Sequence, residues 1–153
     1  MPITVQRVVE CVHEVEKHAE HVVLIVGKPG SGKSKILREL DTMRGWKYVD
    51  SRTLLDSDFM ELPPKARSAE AAAVIGRELE NQGAKVILLD NIQVLFTPLL
   101  KLEPLELLKN LSRKQTIVAA WPGDYDEGRL SIARSPGEIV EYSAEGMQII
   151  QIS

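Results

Sequence analysis

The chain is poor in cysteine and in aromatic side chains. Its 153 residues include one cysteine, Cys11, and aromatic residues make up 5% of the total. One thiol excludes an internal disulfide and a metal site built of thiolates alone, so nothing in the composition requires an oxidising compartment. We therefore expect a cytoplasmic protein in a reducing environment.

Long apolar runs and an excess of one charge are also missing. No stretch approaches the roughly 18 apolar residues of a membrane span, and the first 20 residues lack the apolar core of a signal peptide. Lysine and arginine number 19 against 22 aspartates and glutamates, a formal net charge of -3. This balance gives no electrostatic support for direct DNA binding, and no membrane partner is expected.

The length and composition fit one globular domain. The chain is 44% hydrophobic and 27% charged, which is ordinary for a globular protein of this size. We expect a single P-loop domain over residues 1–153, made of an N-terminal helix (1–20), a core (22–133) and terminal strands (137–153).

Apolar strands alternate with amphipathic helices along the chain. Segments 22–26, 86–89 and 117–121 are uninterruptedly apolar, which is typical of strands buried on both faces of a parallel sheet. A short strand is predicted at 46–50, and LSIA at 130–133 is expected to be a fourth strand of the core sheet. The tail predicts two short strands around a turn at Gly146. The alternation favours an α/β sandwich with a mainly parallel sheet.

A complete phosphate-loop motif lies between the first buried strand and a helix. Residues 27–34 read GKPGSGKS and match G-x-x-x-x-G-K-[ST]. The glycines let successive backbone N–H groups point at phosphate oxygens, and the following helix directs its positive end at the same anion. The predicted nucleotide-binding residues are Gly27, Lys28, Pro29, Gly30, Ser31, Gly32, Lys33, Ser34 and Lys35.

Two oxygen donors are predicted to hold Mg²⁺ beside the phosphates. Ser34 offers its hydroxyl from the end of the motif. Asp90 directly follows the apolar run 86–89, so its carboxylate emerges at the edge of the sheet where ligands of open α/β sheets bind. A hard cation that bridges the β- and γ-phosphates prefers such oxygen ligands. Lys33 is predicted to act catalytically by neutralising the same phosphates.

The segment LLDNIQVLF (88–96) resembles the Walker B region of AAA+ ATPases, particularly the initiator-like branch. Segments 22–40 and 84–96 carry this resemblance. The short chain, with its WPG turn at 121–123, is also similar to the small P-loop BrxF family of BREX phage-defence systems. The resemblance implies a three-layer P-loop NTPase sandwich in the additional-strand order, with ATP as substrate or ligand and Mg²⁺ as cofactor. It also implies a bacterial defence complex that contains a methyltransferase and larger ATPases.

Asn91 departs from the AAA+ pattern. That family usually places a glutamate directly after the Walker B aspartate to polarise the attacking water, whereas an amide can orient water but cannot accept its proton. Losing a positioned base costs on the order of 10² to 10⁴ in rate. We expect slow hydrolysis with Asn91 positioning water, a base from elsewhere, or a nucleotide switch. Asp50 ends the 46–50 strand and could substitute as base, although a helix-capping or loop-solvating role is favoured.

The sequence also lacks the family's helical lid and sensor. Trp121 ends the 116–121 strand where a polar sensor usually stands, and packing is its favoured role. Only strand-like residues follow LSIA, so a neighbouring subunit is expected to close the nucleotide pocket with an arginine finger, worth about 10³ to 10⁵ in rate. Arg129 is the first candidate because it precedes LSIA as the family's finger precedes its last core strand. Alternatives are a solvated surface role for Arg129, or Arg113, Arg134 or Arg67 as the finger.

These observations favour an ATP-binding, slowly hydrolysing AAA-like module that works as a homo-oligomer or with a larger defence-complex partner. A nucleotide-gated scaffold without appreciable turnover is the main alternative. A small-molecule or nucleoside kinase is less favoured, because the 91–112 segment contains no arginine for a mobile lid.

Overall fold

A computed structural model describes residues 3–28, 30–54, 64–96, 103–135 and 137–152. The helices are α1 (Ile3–Val15), α2 (Lys33–Leu40), α3 (Pro64–Asn81) and α4 (Pro104–Leu111). The strands are β1 (Val22–Val26), β2 (Trp46–Asp50), β3 (Val86–Asp90), β4 (Thr116–Trp121), β5 (Asp124–Asp126), β6 (Arg129–Ser135), β7 (Glu138–Ser143) and β8 (Gln148–Gln151). Short 3₁₀ helices follow β2 and β3, at Ser51–Thr53 and Ile92–Phe96.

A five-stranded parallel sheet forms the centre of the fold. Its strand order is β2-β3-β4-β1-β8, and every neighbouring pair is parallel. Strands β1, β3 and β4 are buried along their whole length, which explains their continuous apolar sequences. The phosphate-loop strand β1 thus lies between β4 and β8. This order confirms the predicted α/β fold class with an additional-strand, AAA-like sheet.

Helices cover both faces of the sheet. Valines spaced along one face of α1 pack with Leu37 and Leu40 of α2 against one sheet face, which buries Val23, Ile25 and Val118. On the opposite face, Ile75 and Leu79 of α3 and the leucines of α4 pack against alternate strand residues. Because neighbouring strand residues point to opposite faces, the continuous apolar strands supply both layers. The result is a three-layer sandwich.

Strands β5, β6 and β7 form a separate antiparallel sheet, so the placement of LSIA in the core sheet is wrong. Within β6, Leu130 and Ile132 are buried, whereas Ser131 is half-buried and Ala133 is exposed. This alternation is typical of an antiparallel sheet with one buried face. The two predicted tail strands do form as β7 and β8 on either side of Gly146, but β8 joins the core sheet beside β1.

The helices α1 to α4 all contribute residues to the layers of the sandwich. In the described ranges the structure therefore contains no large helical lid over the carboxyl edge of the sheet. Nor is any helix within those ranges long and apolar enough to cross a membrane.

Candidate functional site

The phosphate loop connects β1 to α2 through backbone conformations that favour glycine. Gly30 and Gly32 have φ angles of 82° and 100°, and Gly32 is the N-cap residue of α2. The N–H of Ser31 donates to the Lys28 carbonyl at 3.0 Å and closes a tight turn. The predicted ligand residue Pro29 lies outside the described residues. This geometry leads the chain directly into the amino end of α2, as phosphate binding requires.

Lys33 turns back toward the loop from the first position of α2. Its ammonium group donates a hydrogen bond to the carbonyl oxygen of Gly27. Partial burial lowers the pKa of Lys33, while the carboxylates of Asp90 and Asp124 oppose that shift. A positive charge therefore lies inside the loop, within electrostatic range of two acidic residues at the carboxyl edge of the sheet.

The base of the loop packs against the chain just after β8. A Cβ atom added to Gly27 would overlap the Ser31 hydroxyl oxygen and lie 2.7 Å from Cγ1 of Ile152. The N–H of Ile152 donates to the carbonyl oxygen of Val26 at 2.8 Å. Glycine is therefore favoured at position 27, where the residue after β8 packs closely against the loop.

Asp90 is nearly inaccessible at the end of β3, with 4% of its surface exposed. The Tyr48 hydroxyl donates to its Oδ2 at 2.7 Å, and the N–H of Asn91 donates to its Oδ1 at 2.9 Å. Tyr48 was not predicted from the sequence, because its contact with Asp90 depends on the pairing of β2 with β3. The Asp90 carboxylate and the hydroxyl of Ser34, in the first turn of α2, are a hard-oxygen donor set that fits Mg²⁺.

Asn91 adopts a left-handed backbone conformation, with φ of 55°. Asparagine tolerates this region better than most residues with a Cβ atom. Its side-chain oxygen accepts a long hydrogen bond from Gln93 Nε2 at 3.5 Å. Hydrogen bonding from the Asn91 side chain also helps to lower the pKa of Asp50. The Asn91 side chain therefore lies near the carboxylate of Asp50, at the end of the neighbouring strand.

Asp50 caps the 3₁₀ helix that follows β2, which confirms its favoured structural role. Its Oδ1 accepts from the Arg52 N–H at 3.0 Å, and its Oδ2 accepts from the Arg52 guanidinium at 2.7 Å. The hydrogen bonds from Arg52 are the main reason that the pKa of Asp50 falls to about 2. A carboxylate with so low a pKa is a weak base, so Asp50 is poorly suited to accept a proton from water.

Arg129 does not lie where a finger that precedes the last core strand would lie. The prediction took LSIA as that strand, whereas β8 occupies this place and Arg129 opens β6 of the second sheet. Its side chain is 73% exposed, and its guanidinium pairs with Glu141 at 3.1 Å. Arg113 is also exposed, and the side chains of Arg67 and Arg134 lie outside the part of the chain that the structure describes.

Trp121 is a packing residue, as expected. It is fully buried, its indole N–H donates to the Ser131 carbonyl at 3.1 Å, and its ring packs in a T-shaped arrangement with that of Tyr142.

Asp124, at the start of β5, is a further acidic residue near the site, and no sequence motif identifies it. A Cβ on Gly123 would overlap the Ser131 carbonyl oxygen, so this glycine permits a close approach of the two chain segments. Asp124 lies within electrostatic range of Lys33.

Comparison with known proteins gives evidence about the fold. No family model and no curated protein matches the chain. The solved structure of C. elegans PCH-2 matches with a TM-score of 0.51 and 14% identity over 97% of this chain and 41% of that chain. A DNA replication initiation factor matches with a TM-score of 0.47 and 19% identity over 100% of this chain and 47% of that chain. The chain spans less than half the length of either protein. Strand order, phosphate loop and the PCH-2 likeness together show an AAA-like P-loop NTPase fold.

Proposed function

We propose that the chain binds Mg·ATP at the carboxyl edge of its parallel sheet and hydrolyses it slowly. The observation that carries this proposal is that Lys33 follows β1 and Asp90 ends β3, parallel strands of one sheet, so that both residues lie at the same sheet edge. They lie far apart in the sequence, yet the fold brings the motif lysine and a buried carboxylate within electrostatic range of each other. A cation within electrostatic range of a carboxylate, at the amino end of a helix that follows a glycine-rich loop, suits a phosphate chain with a bound metal.

Each residue has a distinct role in this proposal. The backbone of residues 27–34 cradles the phosphates, and Lys33 exchanges its bond to Gly27 for the β- and γ-phosphate oxygens. Ser34 and Asp90 would hold Mg²⁺, which supplies charge neutralisation between the phosphates when bound. Asn91 orients water.

Slow turnover is expected from the groups around Asn91. Its amide cannot accept a proton, and the neighbouring Asp50 is bound to Arg52 with a pKa of about 2. Without a positioned base, we expect the rate of ATP hydrolysis to be on the order of 10²- to 10⁴-fold lower than with one. We further propose that a neighbouring copy or a larger partner completes the site by supplying an arginine. Arg129 is suited to reach outward, because an exposed pair with Glu141 costs little to break.

The direct test is a titration of the purified chain with a fluorescent ATP analogue and Mg²⁺. We expect saturable binding that Lys33→Ala abolishes, since the variant loses the cation inside the loop. Lys47→Ala is the matched control, because it removes one exposed lysine from β2 without touching the loop. Absence of Mg·ATP binding in the wild type would contradict the proposal. Transfer of phosphate to an added nucleoside, rather than its release, would indicate the kinase alternative.

A nucleotide-gated scaffold is the second candidate, and the amide at Asn91, which cannot accept a proton from water, favours it. In this case ATP binding alone would drive assembly. Sedimentation with and without Mg·ATP, combined with a phosphate-release assay at several protein concentrations, separates the two. A rate per subunit that rises with concentration indicates sites completed between copies. Assembly without any release above the Lys33→Ala blank indicates the scaffold.

The proposed biological setting is a bacterial anti-phage complex of the BREX type. Its support is the similarity in the WPG turn at 121–123 and in the overall pattern of the P-loop core. The test is loss of phage exclusion on deletion of the gene, with restoration by the wild-type gene and failure of Lys33→Ala to restore it. Full exclusion of phage without the gene would contradict this setting but would not test the proposed nucleotide site.

A further inference from the structure

Tyr48 connects the two elements that carry the proposed magnesium ligands. It lies in the middle of β2, and its hydroxyl donates to Oδ2 of Asp90 at 2.7 Å. The guanidinium carbon of Arg38 lies 5.5 Å from the centre of the Tyr48 ring, within cation–π range. Arg38 belongs to α2, whose first turn contains Lys33 and Ser34. One aromatic side chain therefore contacts both the Asp90 strand and the phosphate-loop helix.

The backbone of Tyr48 is also fixed to α2. Its N–H donates to Oδ1 of Asp41, the C-cap residue of that helix, at 2.8 Å. Strand β2 is an edge strand of the core sheet, so Asp41 satisfies an N–H group that lies outside the ladder. Contacts at the N–H, the ring and the hydroxyl together restrict Tyr48 to one position.

The hydroxyl of Tyr48 is one of two donors that orient the Asp90 carboxylate. The other is the N–H of Asn91, at 2.9 Å from Oδ1. With one donor on each oxygen, rotation of the carboxylate about its Cβ–Cγ bond is restricted. Each oxygen still has a further lone pair that can face a cation.

We propose that Tyr48 is a positioning residue that sets the affinity of the site for Mg²⁺ by acting through Asp90. This inference rests on the proposed Mg·ATP site. Removing a residue that hydrogen-bonds to a metal ligand, without touching the metal itself, commonly lowers metal affinity by about 10- to 100-fold. Because Tyr48 contacts the phosphate-loop helix through Arg38 rather than through the loop itself, its hydroxyl is expected to affect metal binding more than binding of metal-free nucleotide.

The test is Tyr48→Phe, which removes the hydroxyl and keeps the ring over Arg38. Binding of the ATP analogue is measured at a series of free Mg²⁺ concentrations and again in EDTA. We expect the half-saturating Mg²⁺ concentration to rise about tenfold while the affinity in EDTA stays within about twofold of wild type. Tyr142→Phe in β7 is the matched control, because it removes a hydroxyl from the second sheet, and its Mg²⁺ dependence should equal that of wild type.

Several outcomes would overturn the inference. An unchanged half-saturating Mg²⁺ concentration shows that Asp90 does not need the hydroxyl. Equal losses of affinity with and without Mg²⁺ show a general packing role. If Tyr48→Phe does not fold, Arg38→Ala tests the same link, because it removes the contact that holds the Tyr48 ring. We expect this variant also to raise the half-saturating Mg²⁺ concentration, and no rise would overturn the inference. A wild type that binds no Mg·ATP contradicts the proposed function itself, and the role of Tyr48 falls with it.

Discussion

Asp50 and Asp90 are register partners at the ends of the neighbouring strands β2 and β3, but their carboxylates contact different kinds of donor. Asp50 is bound by the guanidinium of Arg52, whereas Asp90 accepts from the hydroxyl of Tyr48 and the N–H of Asn91. A cation neutralises the first carboxylate, and neutral donors orient the second. Of this pair, Asp90 is therefore the carboxylate that we propose as a magnesium ligand.

Asn91 offers a test that separates backbone strain from side-chain chemistry. At φ of 55° we expect Asn91→Ala to be less stable than Asn91→Gly by about 1 kcal/mol, because only glycine adopts this conformation without cost. Both variants lose the amide, so both should lose the same share of ATP hydrolysis. Urea unfolding and phosphate release measure the two effects. Equal stability of the two variants would contradict the left-handed conformation.

The ion pair of Asp50 with Arg52 predicts acid sensitivity. The pKa of Asp50 lies at about 2 in the fold, against a usual value of 3.8, so its stabilisation is present above about pH 4 and is lost as the pH falls toward 2. We expect Asp50→Asn to lose less stability than wild type over this interval. Urea midpoints at pH 5, 4 and 3 measure the difference. Glu141→Gln is the control, because it removes an exposed ion pair, and it should follow the wild-type curve.

Arg129 can be tested as a finger by mixing two inactive variants. Lys33→Ala disables the nucleotide site, and Arg129→Ala removes the proposed finger. If the finger acts on a neighbouring copy, we expect Arg129→Ala alone to lose about 10³-fold in rate and the mixture to recover part of it, since mixed neighbours contain intact sites. Arg113→Ala is the exposed-arginine control. A wild-type rate for Arg129→Ala would show that Arg129 is a solvated surface residue and not a finger.

Substitution of glycine by alanine is expected to have opposite effects on stability at Gly123 and at Gly76. Gly123→Ala should destabilise the fold by ~3 kcal/mol, because its Cβ would overlap the backbone carbonyl of Ser131. Gly76→Ala lies in α3, where the nearest atom, Cδ2 of Leu111, is 3.7 Å from the added Cβ. We expect this variant to be more stable by about 0.5 to 1 kcal/mol, the usual helix preference. Thermal or urea unfolding of the two variants measures both changes in stability.

Continuous burial made the centre of the fold predictable from sequence. Strands β1, β3 and β4 are apolar on both faces, and the phosphate-loop motif specifies the turn and the helix after β1. The error at LSIA arose because β8 is an edge strand in which only Ile150 is fully buried, so it looks less like a core strand than β6 does. Alternation of buried Leu130 and Ile132 within β6 was the available signal for a one-sided sheet.

The candidate site was predictable only as far as local motifs extend. The motif specifies Lys33 and Ser34, and the end of an apolar strand indicates Asp90. Tyr48 and Asp124 come from segments with no motif, and their orientation depends on the pairing of β2 with β3 and of β5 with β6. A single sequence does not contain that register information, because a shift of one residue would place either side chain on the opposite face.

Contact of Gly27 with Ile152 links the phosphate loop to the order in which the molecule folds. The pairing of β1 with β8 joins segments near opposite ends of the described chain, and closing so long a loop is entropically costly and slow. The binding-competent loop should therefore be among the late structures to form during refolding and among the early ones to open. A bound nucleotide would then lengthen the lifetime of the folded state by slowing separation of β8 from β1.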